Sequence, residues 1–213
     1  MPPSVPKTAI SWVSPFPIGE SPFRIKGVLY QGTRSFFSTK VKGGMDALFA
    51  QLADDQLRAF IGQQFLASSY YDVLPVYPLI YAEARACNMP LQVYLRQRSE
   101  FQAEQDMGGV YKVLLKLASP DAVVARLPRL ATQLLNFAKC DLVETATSSR
   151  TLVLSGMPAV LVGWYMNGLA VYAQHALKLS GARNCQVSML PAEPEPPVHG
   201  VDVVRVRFQV QWT

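Results

Sequence analysis

The side chains able to do acid–base, nucleophilic or metal chemistry are few and scattered. The chain has two histidines, His175 and His199, and three cysteines, Cys87, Cys140 and Cys185. No group of His, Cys, Asp and Glu has the close spacing that ligates zinc. No GxGxxG stretch and no GxxxxGK followed by Ser or Thr is present, so a nucleotide-phosphate cradle has no support. "LVLSGMP" is not a GxSxG nucleophile elbow. Cys185 follows the segment carrying His175, and an enzyme built on that pair, or on Tyr and Arg, needs the fold to assemble it. No catalytic constellation is written in the sequence, and no cofactor or metal is expected.

The most unusual local feature is aromatic. "SSYYDVLPVYPLIYAEARAC" holds Tyr70, Tyr71, Tyr77 and Tyr81, with Arg85 one turn after Tyr81. A tyrosine offers an apolar body with a polar tip, which suits a pocket wall. Together with Tyr94, Tyr111, Trp164 and Tyr165, these rings would line a cavity between helices and a sheet. Tyr70, Tyr71, Tyr77, Tyr81, Arg85, Tyr111, Trp164 and Tyr165 are therefore the candidate ligand-binding residues. The competing reading makes them core-edge residues with their hydroxyls at the surface.

The elements that must position these side chains follow from periodicity and punctuation. Residues 1–22 hold six prolines and read as an extended arm ahead of a single domain over 23–213. "PFRIKGVLYQG" alternates as a first strand. Gly43-Gly44 precedes a short helix, "MDALFAQLA", and Asp54 caps the next, with Leu57, Phe60, Ile61 and Phe65 on one face. "PVYPLIYAEARAC", "PLQVYLRQRSEFQAEQ" and "VYKVLLKLA" read as helices. Ser119-Pro120-Asp121 starts another that runs toward Phe137, with Pro128 bending or splitting it. "CDLVETATSSRTLVLSG" then reads as two strands around a turn at Ser148-Ser149, "NCQVSML" as a strand, and "PAEPEPPVHG" as a proline-rich loop. "VVRVRFQVQW" alternates Val204, Val206, Phe208, Val210 and Trp212 against Arg205, Arg207, Gln209 and Gln211, the pattern of an antiparallel strand with one wet face.

Between these strands lies "GMPAVLVGWYMNGLAVYAQHALKLSGA". From Met157 to Leu177 it has no Asp, Glu, Lys or Arg. That length approaches the roughly 20 residues of a membrane span. Pro158 at a first turn, Gly181 at a C-terminal cap, and a stripe of Gly163, Asn167, Ala170, Gln174 and Lys178 argue instead for a helix lying on a sheet. Gly163 and Gly168 would let another helix or subunit approach closely.

The net charge of +5 sits near the N-terminus, where residues 1–45 hold six cations and one acid. They are scattered, which fits a solvated edge better than nucleic-acid binding. Three well-separated cysteines argue for a reducing compartment, and the proline-rich N-terminus does not resemble a secretory signal, so a cytoplasmic location is expected.

"SGMPAVLVGWYMNGLAVYAQHALKLSGARNCQV", followed by a strand ending in "VQW", resembles a family of myxobacterial proteins defined by a domain of unknown function. "YPLIYAEA" and "MGGVYKVLLKLASPDAVVARLP" fit the same picture, over residues 24–213. More distantly, the order hairpin, apolar helix, hairpin is similar to heme-nitric-oxide-binding and vinyl-reductase-type domains. The resemblance implies an α+β sensory or ligand-binding module, often dimeric. The heme branch uses a histidine on a helix before the hairpin and a Tyr-x-Ser-x-Arg motif. Here no histidine precedes His175, and the corresponding stretch reads "TATSSRTLVLSG". Heme binding of that kind is expected to be absent.

The expectation is an α+β fold, with a helical N-terminal half packed on an antiparallel sheet of two hairpins joined by the long apolar helix. The function expected is a non-enzymatic module for a small apolar or aromatic ligand, as a homodimer. The alternative is a protein-interaction module that docks through the arm and the 191–200 segment, without a small ligand.

Overall fold

The chain is described by a computed structural model over residues 12–108, Val113, Lys116 and 118–213. Tyr111, most of "VYKVLLKLA" and the first eleven residues of the arm lie outside the described residues. The chain is an α+β fold. Its residues form two compact units that divide between Arg98 and Ser99.

The first unit is helical. Its elements are β1 (Arg24–Lys26), α1 (Val28–Lys40), α2 (Gly44–Phe49), α3 (Asp55–Gly62), β2 (Tyr70–Asp72) and α4 (Val76–Ala86), followed by the start of α5 (Leu91–Asp106). The strand expected over "PFRIKGVLYQG" is only three residues long, and most of that segment is helix. Tyr30, Thr33, Phe36 and Phe37 are buried, and the spacing of three to four is helical. The short alternating run at its start hid that period. β1 pairs antiparallel with β2, placing Ile25 opposite Tyr71. Asp54 caps α3 as expected, accepting from the backbone N–H groups of Gln56 and Leu57. Tyr30 stacks on Phe65 at 4.4 Å between centroids, and Phe60 meets both rings edge-on.

Gly27 joins β1 to α1 because nothing larger fits there. A Cβ at that position would stand 2.3 Å from the Leu66 carbonyl oxygen and 2.7 Å from the Tyr71 ring.

The second unit is built on a sheet. The later part of α5 leads to α6 (Pro120–Val124), α7 (Leu127–Leu134), β3 (Lys139–Ala146), β4 (Ser149–Pro158), α8 (Val162–Leu179), β5 (Gln186–Met189), β6 (Glu193–Val198) and β7 (Val201–Gln211). Ser119 accepts from the Ala122 N–H, and Pro120 opens α6. The helix is interrupted as Pro128 demanded, and α7 restarts with that proline in its first turn. The sheet is antiparallel, in the order β3-β4-β7-β5, with β6 pairing the other half of β7.

β7 follows the expected alternation only from Val206 onward. Val206, Phe208, Val210 and Trp212 are buried, but toward the start of the strand the buried residues are Val201 and Val203, while Val204 is half-exposed. The register shift opposite, between Leu154 and Met157 of β4, flips the faces. Gly156 sits in that bulge at φ +76°, and a Cβ there would lie 2.9 Å from the Phe137 carbonyl oxygen. Its N–H donates to Glu195 Oε2 at 2.7 Å, and the same carboxylate holds Arg205 at 3.0 Å.

The segment "PAEPEPPVHG", expected as a loop, is strand β6 and a tight turn. Prolines lack the N–H a central strand needs, and β6 tolerates them because it pairs on one side only, with β7. His199 and Gly200 both have positive φ, the geometry that closes a two-residue hairpin. Residues 159–161 form a short 3-10 turn ahead of α8, so Pro158 closes β4 instead of opening the helix. α8 buries Val162, Met166, Ala173, Ala176 and Leu177. Of the expected polar stripe, Gly163 and Lys178 are exposed, while Asn167, Ala170 and Gln174 are half-buried. Among the described residues no helix is long and apolar enough to cross a membrane.

Two glycines test this account. Gly27→Ala overpacks a closed contact and should destabilise the protein by about 3 kcal/mol. Gly156→Ala imposes a left-handed conformation on an alanine and should cost about 2 kcal/mol. Urea unfolding followed by circular dichroism measures both, with Gly44→Ala, whose Cβ would meet no neighbour although its φ is +55°, as a strain-only comparison.

Candidate functional site

Helix α4 organises most of the candidate side chains. Its buried face carries Val76, Leu79, Ile80, Glu83 and Ala84. The stripe spaced by four, Tyr77, Tyr81 and Arg85, is half-buried. Tyr77 and Tyr81 meet edge to face with centroids 5.3 Å apart. Trp12 comes onto the same stripe, its ring edge-on to Tyr77 at 5.6 Å. Partial burial raises the Tyr81 hydroxyl above its ordinary pKa, and its hydrogen bond with Tyr77 adds to the effect. Arg85 donates to the Gln51 carbonyl at 3.2 Å, closing the end of α2 onto α4.

Further along the same segment, a buried carboxylate fastens the chain. Asp72 is 1% exposed. It accepts from the Gly19 N–H at 3.0 Å, the Ser21 N–H at 3.2 Å, the Ser21 hydroxyl and the Leu74 N–H at 2.9 Å. Two of these donors belong to the backbone of the proline-rich segment, and Arg24 closes it further by donating to the Gly19 carbonyl. Residues 16–23 are thereby fastened against β2 and the start of α4.

Tyr70 and Tyr71, on opposite faces of β2, have structural partners. Lys26 lies 5.8 Å above the Tyr70 ring, which is 43% exposed. The Tyr71 hydroxyl accepts from the Leu66 N–H, and its ring packs edge-on to Phe65 at 4.8 Å. Trp164 and Tyr165 belong to the second unit, adjacent on α8 with centroids 6.2 Å apart. Burial, and then the neighbouring Cys140, push the Tyr165 hydroxyl up. The candidate residues that meet one another are thus Tyr77 with Tyr81, and Trp164 with Tyr165. Trp12 was not among them, and its isolated position in the sequence carries no signal of the ring it meets.

Glu83 was missed as well, and here a signal existed. Glu83 lies three residues after Ile80 and seven after Val76, inside the apolar stripe of α4. It is 3% exposed and accepts from the Thr33 hydroxyl at 2.8 Å. Burial raises its pKa above the ordinary 4.5, opposed by Arg98 and then by the nearby Tyr94 hydroxyl and the Thr33 hydroxyl that donates to it.

The fold built by these elements is shared with solved proteins. An H-NOX protein labelled Cs, carrying 4-cyano-L-phenylalanine at site 5, matches 89% of this chain and 97% of its own, with TM-score 0.62 and 8% identity. The Fe(II) unliganded H-NOX protein of K. algicida matches 89% and 97%, with TM-score 0.58 and 12% identity. An oxygen-binding H-NOX domain related to soluble guanylate cyclases matches 88% and 92%, with TM-score 0.57 and 8% identity.

The chain has the H-NOX fold.

No family model and no curated protein sequence matches it. Heme is the group this fold implies, since the structures of that fold include studies of heme distortion across H-NOX proteins. The donors present do not fit it. Helices α1 to α7 carry no histidine. His175 lies on α8, after the first hairpin, and His199 lies in the β6–β7 turn. Thiolate ligands are disfavoured too: burial and then Glu83 push the Cys87 thiol to about 11, and burial and then Asp141 push Cys140 to about 12. Cys185 is also raised by burial. Among the described residues no group of three or more His, Cys, Asp or Glu forms a metal-binding cluster. Arg150, the arginine of "TATSSRTLVLSG", is committed to Asp121, to the Ala146 and Ser149 carbonyls and to the face of Trp212.

Asp72→Ala leaves four donors without their acceptor. It should cost about 3 kcal/mol and free the segment that carries Trp12. Its tryptophan emission should shift to the red, a change lost in a Trp12→Phe background. The thiols give a second check. A group at about 11 is one part in roughly a thousand thiolate at pH 8, so in the folded protein Cys87 should react with Ellman's reagent about a hundredfold more slowly than free cysteine, and Cys140 more slowly still.

Proposed function

We propose that this protein is a non-enzymatic sensory module that binds a small apolar or aromatic ligand in place of heme, as a homodimer. The observation that supports it is the fold. Nearly nine-tenths of the chain follows the H-NOX architecture, while the helices that precede the sheet contain no histidine. A ligand-binding scaffold is kept and its ordinary means of holding iron is missing. The rings of Trp12, Tyr77 and Tyr81 supply flat apolar contacts with polar tips, the chemistry that holds an aromatic or apolar molecule through stacking and one or two hydrogen bonds. The remaining candidate residues, Tyr70, Tyr71, Arg85, Tyr111, Trp164 and Tyr165, are proposed as supports of that binding function.

A second reading is favoured by the sheet. β6 is an exposed proline-rich strand paired on one side, with Leu190 and Val198 exposed at its ends. A partner protein docking along it would need no small ligand.

Native and denaturing mass spectra of the purified protein, with an absorbance scan of the same sample, separate these readings. The expected result is no Soret band, none gained after addition of hemin, and a small-molecule mass that is lost on denaturation and reduced in Tyr77→Ala. A Soret band with axial-histidine character would overturn the heme-free reading. A clean polypeptide mass that binds no apolar probe favours docking along β6. The native spectrum also gives the oligomeric state directly.

A further inference from the structure

Glu83 stands apart from every other buried group in the first unit. Three helices close around its carboxyl. From α1, the Thr33 hydroxyl donates to Oε1 at 2.8 Å, and the buried Tyr30 phenol lies within reach of its field. From α5, Tyr94 and Arg98 face it, and from α4 itself, the Cys87 thiol lies one turn on. Tyr94 is fully buried at 0% exposure. Its hydroxyl lies beside Glu83, yet meets no partner at hydrogen-bond geometry. A buried hydroxyl left unengaged forfeits on the order of one hydrogen bond, so a second arrangement that engages it is close in free energy. The Arg98 guanidinium supplies a cation at the edge of the cluster, lying 5.8 Å from the Phe36 ring. Phe36 in turn packs edge-on to Tyr94 at 5.9 Å.

We propose that Glu83 is a proton-operated latch that fastens α4 to α5. With the carboxyl neutral, Thr33 holds it and the Tyr94 hydroxyl stays unengaged. When the proton leaves to bulk water, the carboxylate draws in the Tyr94 O–H, and the positive charge of Arg98 nearby offsets the buried negative charge. Each protonation state has its own set of bonds between α1, α4 and α5, so pH selects between two packings of the unit that also carries the aromatic stripe of α4.

Burial is the largest influence on Glu83 and favours its neutral form in the folded protein. The sign of the linkage follows. A folded carboxyl with a raised pKa binds its proton more tightly than the unfolded chain does, so its contribution to stability is full below the ordinary value of 4.5. That contribution is lost as pH rises through the folded value.

The test is a pH titration of protein labelled with carbon-13 at the glutamate carboxyls, with Glu83 assigned by sequence-specific NMR. Ultraviolet resonance Raman of tyrosine, as the difference between parent and Tyr94→Phe, reports the Tyr94 hydrogen bond. The expected result is a Glu83 midpoint above the ordinary carboxylate range, a Tyr94 signal that changes with the same midpoint, and a Glu83 midpoint higher by about one unit in Tyr94→Phe and in Arg98→Met. Glu83→Gln should give a Tyr94 signal flat in pH. A Glu83 midpoint in the ordinary range overturns the proposal. So does a Tyr94 signal that ignores the titration, or a midpoint unchanged when the Tyr94 hydroxyl is removed. Direct assignment of Glu83 keeps the measurement decisive even where Glu83→Gln fails to fold.

Discussion

The first unit depends on one buried carboxylate having enough donors. Burying an ionised Asp is costly unless its oxygens are satisfied, and an uncompensated carboxylate would be expelled to water. Asp72 meets that demand with three backbone N–H groups and one hydroxyl, drawn from both sides of the chain. The requirement runs in both directions. Because Asp72 must be satisfied, residues 19–21 lie against it, and the segment that carries Trp12 leads into them. Leu74 donates to the same carboxylate just ahead of Val76, so the entry angle of α4 is set by the same group. The backbone carbonyl of Asp72 also accepts from the Tyr30 hydroxyl, tying α1 to the junction. A segment whose composition reads as a free arm becomes part of the helical unit through two amides and a serine.

Strand β7 has the corresponding role in the second unit. It pairs with β4 along one edge and with β6 and β5 in turn along the other. A strand flanked on both sides needs a full set of backbone donors, and β7 contains no proline. The prolines are displaced to β6, which pairs on one side only. Gly156 then reconciles two registers in β4, and the Glu195 carboxylate closes the bulge by taking the N–H that the ladder leaves over. The opposed faces of β7, buried at Val203 before the shift and at Val206 after it, follow from this one inserted residue.

How much was readable in advance depended on whether the signal was local. The Asp54 and Ser119 caps, the split at Pro128, the turn at Ser148 and the alternation from Val206 to Trp212 were all written in adjacent residues. The helix at Val28–Lys40 was not, because Gly27 ends the short strand inside a run that alternates by chance, and the helical period emerges only over thirteen residues. β6 was read as a loop from its prolines, a rule that holds for central strands and fails at an edge. Of the site, the Tyr77–Tyr81 step was readable from a spacing of four. The meeting of Trp12 with Tyr77 was not, since it joins rings far apart in the sequence with no local pattern between them. Glu83 is readable in principle, as an acid at a position whose helical neighbours are all apolar, while the tyrosine spacing of four marks the other face of the same helix.

Asp72 and Glu83 show the two ways a helical unit can keep an acid inside. Asp72 gathers four donors on its two oxygens, so it fixes geometry. Glu83 has one donor within hydrogen-bond geometry, a second close by but unengaged, and a cation nearby, so its surroundings leave room for the two states proposed above. The aromatic stripe and the buried acid lie on opposite faces of the same short helix, α4. A molecule settling on Tyr77 and Tyr81 would bear on the helix whose other face holds Glu83, and a small shift of α4 changes the distance from that carboxyl to Tyr94. On the function proposed above, ligand and proton would then report on one another, because both are read by the position of one helix.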